Sequence, residues 1–218
     1  MKILWFTNTS SLYKESSKNF GGGWIDSLEM LLKESTEINL AIAFFHKTDY
    51  QKLNKNNTTY YPILRKSGKK SLIKSVLNNY LGKEEHENQY LPEMLKVIDD
   101  FNPDVIHVFG TEEVFSVIQY HTKKPVIIQI QGLMNPCFNN YFPPGISQND
   151  FILNFKYLKQ NLIGSSPYFN YKKFKVKAKR ESKILKESKY LIGRTAWDKK
   201  VVSLFAPKAH YFHVDEAL

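Results

Sequence analysis

"NPDVIHVFGTEE" (residues 102–113) is the stretch whose reading decides the fold. Asn102-Pro103 breaks whatever helix precedes it. Val105, Ile106, Val108 and Phe109 then form an apolar run interrupted only by His107, and Gly110 stops it. A short run that is apolar on both faces belongs to a buried strand of a parallel sheet, not to a half-solvated antiparallel one. "KPVIIQIQG" (residues 124–132) repeats the arrangement, with Pro125 at the strand start and Gly132 at its end. Residues 113–120 between them read as a short helix. Two such strands joined by a helix make a βαβ unit.

The same alternation extends in both directions. "KILWFT" (Lys2–Thr7) is a first buried strand, and residues 8–22 form a polar loop. Trp24, Leu28, Leu31 and Leu32 recur at helical spacing and predict an amphipathic helix ending near Ser35. "INLAIAFF" (residues 38–45) is a second strand. "TTYYPIL" (Thr58–Leu64) is a third, placed at an edge or a strand end by Pro62, which lacks a donor. Helices are expected over residues 70–79 and 89–101, the second with Pro92 in its first turn. Downstream, residues 135–145 are rich in Asn, Pro and aromatics and read as loop. Two long helices follow, at about 146–162 and 168–188. "YLIGRT" is a strand and turn, residues 196–205 a helix, and "AHYFH" a last short strand. The expected fold is α/β: a Rossmann-like, doubly wound, mostly parallel sheet with helices on both faces. No linker or internal repeat divides the chain, so residues 1–218 read as one domain.

Composition sets outer bounds. The chain has 218 residues, 42% hydrophobic and 14% aromatic, which is enough for a sizeable core and excludes a disordered chain. The single cysteine, Cys137, permits neither an internal disulfide nor a zinc framework, and the six histidines are scattered. A reducing compartment, the cytoplasm, is the expectation, with no metal site. The first residues lack the length of a signal sequence, and nowhere is there a run near the roughly 20 apolar residues of a spanning helix. A soluble or peripheral protein is expected.

Net charge is +10 and the pI near 9.4, which points to a polyanionic partner. The charge is concentrated: between Tyr171 and Lys200, twelve lysines and arginines meet only Glu181, Glu187 and Asp198. Aromatic residues interleave with the lysines there. Lys172, Lys173, Phe174, Lys175 and Lys177 are candidates to face an anionic membrane surface, at the inner face of the cell membrane. The plainer reading is a solvated lysine face on a long helix. Nucleic acid ranks last, because lysines far outnumber arginines and no nucleic-acid module is recognisable.

In open α/β sheets ligands bind beyond the carboxyl ends of the strands. Here those ends carry Gly21-Gly22-Gly23, His46, Gly110-Thr111-Glu112, Gln131-Gly132 and Arg194 to Trp197. The glycine triplet stands before a helix N-terminus, whose free N–H groups favour an anion. It is not a P-loop, since no G-K-[ST] follows. It is not a dinucleotide fingerprint either, because the third glycine falls at Asp26. A mobile loop with a glycine cap is the bland alternative.

Taken in order, "KILWFTN" with "GGGW", "PDVIHVFGTE", "PVIIQIQGL", "ESKYLIGRTAWDKK" and "YFHVDEAL" resemble the N-terminal half of a GT-B glycosyltransferase. The resemblance is to the retaining family 4, in its bacterial cell-surface polysaccharide branch. It implies two Rossmann-like domains facing each other across a cleft. The N-terminal domain would hold a glycan or lipid-linked acceptor. The C-terminal domain would hold a nucleotide-sugar, a UDP- or GDP-sugar, through a basic pair and an E-x7-E motif. No such donor domain is recognisable here, so this chain is expected to need a C-terminal partner domain for activity. The resemblance places Gly21, Gly22 and Gly23 close to the donor's diphosphate, and implies no metal.

Many members of that family carry histidine where this chain has Gln131. Glutamine hydrogen-bonds a sugar hydroxyl but does not shuttle protons near neutral pH. Gln131 is therefore expected to orient the sugar. Glu112 accepts a hydrogen bond from an acceptor hydroxyl or acts as a base, or else favours the dipole of the following helix. Arg194 either pairs with a phosphate or bridges a surface carboxylate. Trp197 stacks on a sugar or anchors the last helix, and His46 shares the rim. His107, mid-strand, reads as core. Two rival functions stand beside the transferase: a non-catalytic Rossmann-like binding module, and a basic membrane-surface adaptor.

Overall fold

A computed structural model describes residues 1–13, 23–47, 51–65 and 89–215. Gly21, Gly22 and the helix expected over residues 70–79 lie outside the described residues. One eight-stranded sheet runs through the molecule in the order β3-β4-β2-β1-β5-β6-β7-β8. Its strands are β1 (Lys2–Thr7), β2 (Asn39–His46), β3 (Leu53–Lys55), β4 (Thr58–Leu64), β5 (Val105–Phe109), β6 (Val126–Gln129), β7 (Tyr190–Gly193) and β8 (His210–His213). All pairs are parallel except β3 with β4.

The β3–β4 hairpin is absent from the sequence reading. It turns on Asn56 and Asn57, both left-handed (φ 49° and 63°), as a two-residue hairpin requires. β3 covers β4 only as far as Tyr60, so Pro62, which pairs with Phe44 of β2, has no strand on its outer side among the described residues. The missing donor costs nothing there.

Strand residues alternate between two cores. On one face Leu4, Phe6, Ala41, Ala43, Ile106, Val108 and Ile128 meet helix α2 (Leu91–Phe101), the 3-10 helix Val114–Tyr120 and the later helices. On the other, Trp5, Ile42, Phe44 and Phe109 meet α1 (Gly23–Lys33) through Ile25, with Trp24, Leu28 and Leu32 at its margin. Leu31, expected on that apolar stripe, is 56% exposed. The α2 helix ends at Asn102, left-handed with φ 49°, and Pro103 prevents its continuation.

Three local expectations need correction. Residues 135–139, expected as loop, lie in α3 (Met134–Asn139). The long helix expected at 146–162 is broken into α4 (Gln148–Ile152), a 3-10 turn (Phe155–Tyr157) and α5 (Leu158–Leu162). Asn154 causes the break, because its side chain accepts from the amide of Lys156 and starts a new turn. The helix expected at 113–120 is 3-10 in form. The second long helix stands as α6 (Pro167–Glu187), and the last as α7 (Ala196–Phe205). A capping box of Thr195 and Asp198 starts α7.

Candidate active site

After β1 the chain moves outward to β2, and after β5 it moves the other way to β6. The switch in direction lies between β1 and β5, and their carboxyl ends open on one rim. Sequence dictates the geometry at β5. Gly110 follows the strand at φ +88°, a conformation that side chains resist, and its amide donates to the Gln129 carbonyl (2.8 Å). The turn sends Glu112 back over the strand ends. A Cβ on Gly110 would lie 2.0 Å from Glu112 Oε2, and one on Gly132 would lie 3.2 Å from Oε1. The carboxylate thus occupies the space that two missing side chains leave.

Glu112 Oε2 is enclosed and accepts no hydrogen bond. Burial raises the pKa of this carboxyl and the charge of Glu181 adds to the effect, while nearby amides of Glu112, Gly132 and Thr111 act against it. Gln131 flanks the same glycine, its Cγ 3.4 Å from the Gly110 Cβ position, and its Nε2 is also enclosed without a partner. The structure therefore brings Glu112, Gln131, Gly110 and Gly132 together. An unused acceptor and an unused donor thus sit shielded at the end of the central strands, on the rim where open α/β sheets bind ligands.

Helix α6 holds this arrangement, and sequence reasoning missed how. Glu181, fully buried, accepts from Thr111 Oγ1 (2.8 Å), the Met134 amide (2.7 Å), the Asn135 amide (2.9 Å) and Asn135 Nδ2 (2.8 Å). Arg180 donates to the Glu112 carbonyl (2.7 Å). Two adjacent residues of one helix thereby fix the loops after β5 and after β6. The signal was present in the sequence: Glu181 shares a helical stripe with Ala178, Ile184 and Leu185, all buried. A lone acid on an apolar stripe marks a buried polar contact, and not a solvated face.

Arg194 closes the other side by donating to the Gln131 carbonyl (3.1 Å). It braces the β6 end against the β7 end. Trp197 is 51% exposed, so it does not anchor α7; Val202 does. His46 stands at the end of β2 near Tyr13 (6.2 Å between ring centroids). At the far side of the rim, Arg65 places one guanidinium nitrogen 2.9 Å from both Glu113 oxygens. Gly23 opens α1, and a Cβ there would meet nothing within 4 Å. Among the described residues no contact requires a glycine at that position.

On the α1 side, Glu29 is fully buried against the 3-10 turn at Ser11–Tyr13. It accepts from Tyr60 Oη, from Lys33 (2.7 Å) and from the Leu12 amide (3.2 Å). Burial opposes its charge, but these donors and Ser11 prevail and hold its pKa below the usual value. His107 stacks on Phe109 at 4.1 Å, and burial pushes its imidazole down to about 4, against a hydrogen bond with Gln129 that raises it. A neutral histidine follows, lining the space beneath α1 beside Trp24 and Leu28 instead of lying within either packed core, where the sequence had suggested it. It faces α1, away from the Glu112 carboxyl.

No family model matches the sequence, and no curated protein matches it significantly. Among solved structures, the chain is similar to sucrose-phosphate synthase from Thermosynechococcus elongatus. The TM-score is 0.57 at 7% identity, over 98% of this chain and 47% of that one. It also aligns with UDP-GlcNAc 2-epimerase from Neisseria meningitidis, solved with UDP-GlcNAc, at 11% identity over 99% of this chain and 73% of that one, but with a TM-score of 0.36. The second likeness is too loose to carry an argument. The chain spans about half the length of the synthase it matches. What the first likeness establishes is the fold: a Rossmann-like α/β domain, with a mostly parallel sheet, of the GT-B type.

Proposed function

We propose that this chain is the acceptor-side domain of a retaining glycosyltransferase of the family 4 type, acting in bacterial polysaccharide assembly in the cytoplasm. The full enzyme transfers a sugar from a UDP- or GDP-sugar to a polysaccharide or lipid-linked glycan. One observation carries the reading: the Glu112 carboxyl and the Gln131 amide, both enclosed and each with an unused polar atom, meet at Gly110 beside the switch point. A raised carboxyl pKa suits a group that accepts a hydroxyl proton or hydrogen bond as the acceptor is activated. Gln131 orients the sugar, and Trp197 offers it an exposed aromatic face. The backbone at Gly23, open on its outer side, admits the donor's diphosphate, which a facing C-terminal domain presents. The likeness of fold to a sucrose-phosphate synthase supports the reading without naming donor or acceptor.

The test is to assay the full-length protein for hydrolysis and transfer with UDP- and GDP-sugars, beside Glu112→Gln and Gln131→Ala. Expected is turnover of one donor class, with kcat reduced at least tenfold by Glu112→Gln. Absence of turnover with every donor, together with binding of a glycan by this domain alone, would instead establish a non-catalytic binding module.

A further inference from the structure

Ser11 holds a backbone conformation that L-amino acids resist, with φ +45°. Strain of this kind persists only where the surroundings fix it, and it gathers at functional sites. Here it opens the 3-10 turn Ser11–Tyr13, just beyond the end of β1 and beside the switch point.

The turn is fixed from two sides. Tyr13 is buried on the sheet, its ring centroid 5.1 Å from that of Phe44 and 5.6 Å from that of Tyr60. The Leu12 amide donates to Glu29 Oε2 of α1 (3.2 Å), and Tyr60 Oη donates to Oε1 of the same carboxylate. Glu29 shares the sheet-facing side of α1 with Ile25, and both are buried. An apolar residue would pack that position at lower cost, because a buried carboxylate gives up its hydration. Lys33 neutralises the charge along the helix (2.7 Å). What the carboxylate adds is a bond from the helix to the turn, across 17 positions of sequence.

The chain beyond Leu12 enters α1 at Gly23, six residues and about 9 Å along the helix from Glu29. Glu29 therefore ties the start of the connection between β1 and α1 to the helix that its end enters. We propose that Glu29 is a positioning residue, which by holding the Leu12 amide fixes the rim after β1 relative to the backbone at Gly23. The inference rests on the transferase reading for its consequence: the donor's diphosphate approaches at Gly23, so donor binding depends on Glu29. The Glu112 carboxyl is held separately, over Gly110 and Gly132 and by α6, and its chemistry does not depend on this bond.

The test is hydrogen exchange by mass spectrometry on the full-length protein at neutral pH, with Glu29→Gln, Glu29→Asp and Lys33→Met. Expected in Glu29→Gln is an acceleration at residues 11–13 that exceeds any acceleration in β1 and β5 by roughly tenfold. Glu29→Asp keeps the charge but withdraws it from Leu12 by one methylene, and it decides the matter where Glu29→Gln does not fold. Lys33→Met keeps the Leu12 bond and leaves residues 11–13 unchanged. With a UDP- or GDP-sugar that is turned over, Glu29→Gln raises donor KM by roughly tenfold and leaves kcat within about twofold. The proposal is overturned by no acceleration at residues 11–13, by equal acceleration there and in the strands, by release of the turn in Lys33→Met, or by a fall in kcat at unchanged donor KM. Exchange needs no donor. Absence of all turnover would therefore defeat the transferase reading, while exchange alone decides whether Glu29 holds the turn.

Discussion

Thr111 Oγ1 donates to Glu181 Oε2 at 2.8 Å, joining a strand end to a helix seventy residues away. The same carboxylate receives the amides of Met134 and Asn135, so it holds two rim loops at once. A preorganised site needs its groups placed within a fraction of an ångström, and this one buried acid fixes both loops.

Glu181→Ala strands several buried donors, and we expect a loss of about 3 kcal/mol or more in unfolding free energy. Glu181→Gln keeps acceptor capacity on one oxygen and loses less. Urea unfolding measures both. An alanine variant as stable as the parent would show that water replaces the carboxylate without cost.

Two glycines on the rim are expected to respond in opposite ways. Gly110→Ala places a Cβ against Glu112 Oε2 at φ +88°, so it displaces the carboxyl and costs roughly 1–3 kcal/mol. Gly23→Ala meets open space within α1 and leaves stability unchanged or up to about 1 kcal/mol higher. It still lowers transfer by the full enzyme if the diphosphate approaches there. Thermal melts and donor KM for both variants decide the matter.

Glu112 has a folded pKa above its unfolded one. The unfolded chain therefore releases this proton first as pH rises. Stability from the group is complete below about pH 4.5 and declines as pH climbs through the folded value. Glu112→Gln removes that decline. Its Tm should exceed the parent's at pH 7 and converge with it near pH 4, while activity falls. Parallel Tm curves across that range would rule out a buried, raised carboxyl.

His107 works in the other direction. Its folded pKa of about 4 lies below the ordinary 6.5, so the unfolded state binds the extra proton. Stability is lost as pH falls from 6.5 to 4, by up to about 3 kcal/mol for this group alone. His107→Gln cannot titrate and should flatten that part of the pH–stability curve. An unchanged acid limb in the variant would assign it to other groups.

Much of the fold was legible because its signals are local. Val105 to Phe109 reads as a buried strand from apolarity on both faces, and Gly110 marks its end at the residue where φ turns positive. Asn102-Pro103 ends α2 where expected. The errors arose where short polar side chains act on nearby backbone. Asn154 broke a predicted helix, and an Asn-Asn pair built an unpredicted hairpin. Among site residues, Glu112 and Gln131 were legible as strand-end positions. Glu181 was not, since its run of lysines masked its place on the buried stripe.

By itself, the sequence determined the alternation of strands and helices, the rim of loops at the strand ends, and the basic character of residues 171–200. Each follows from periodicity or composition within a few residues. Only the tertiary structure decided that Glu112 lies across Gly110 and Gly132, and that one acid of the lysine-rich helix turns inward to hold both rim loops. These depend on contacts between residues tens of positions apart, whose energies come from burial and from the pairing of buried polar groups. A local pattern can mark such a residue, as the apolar stripe marks Glu181, but it does not encode the partners.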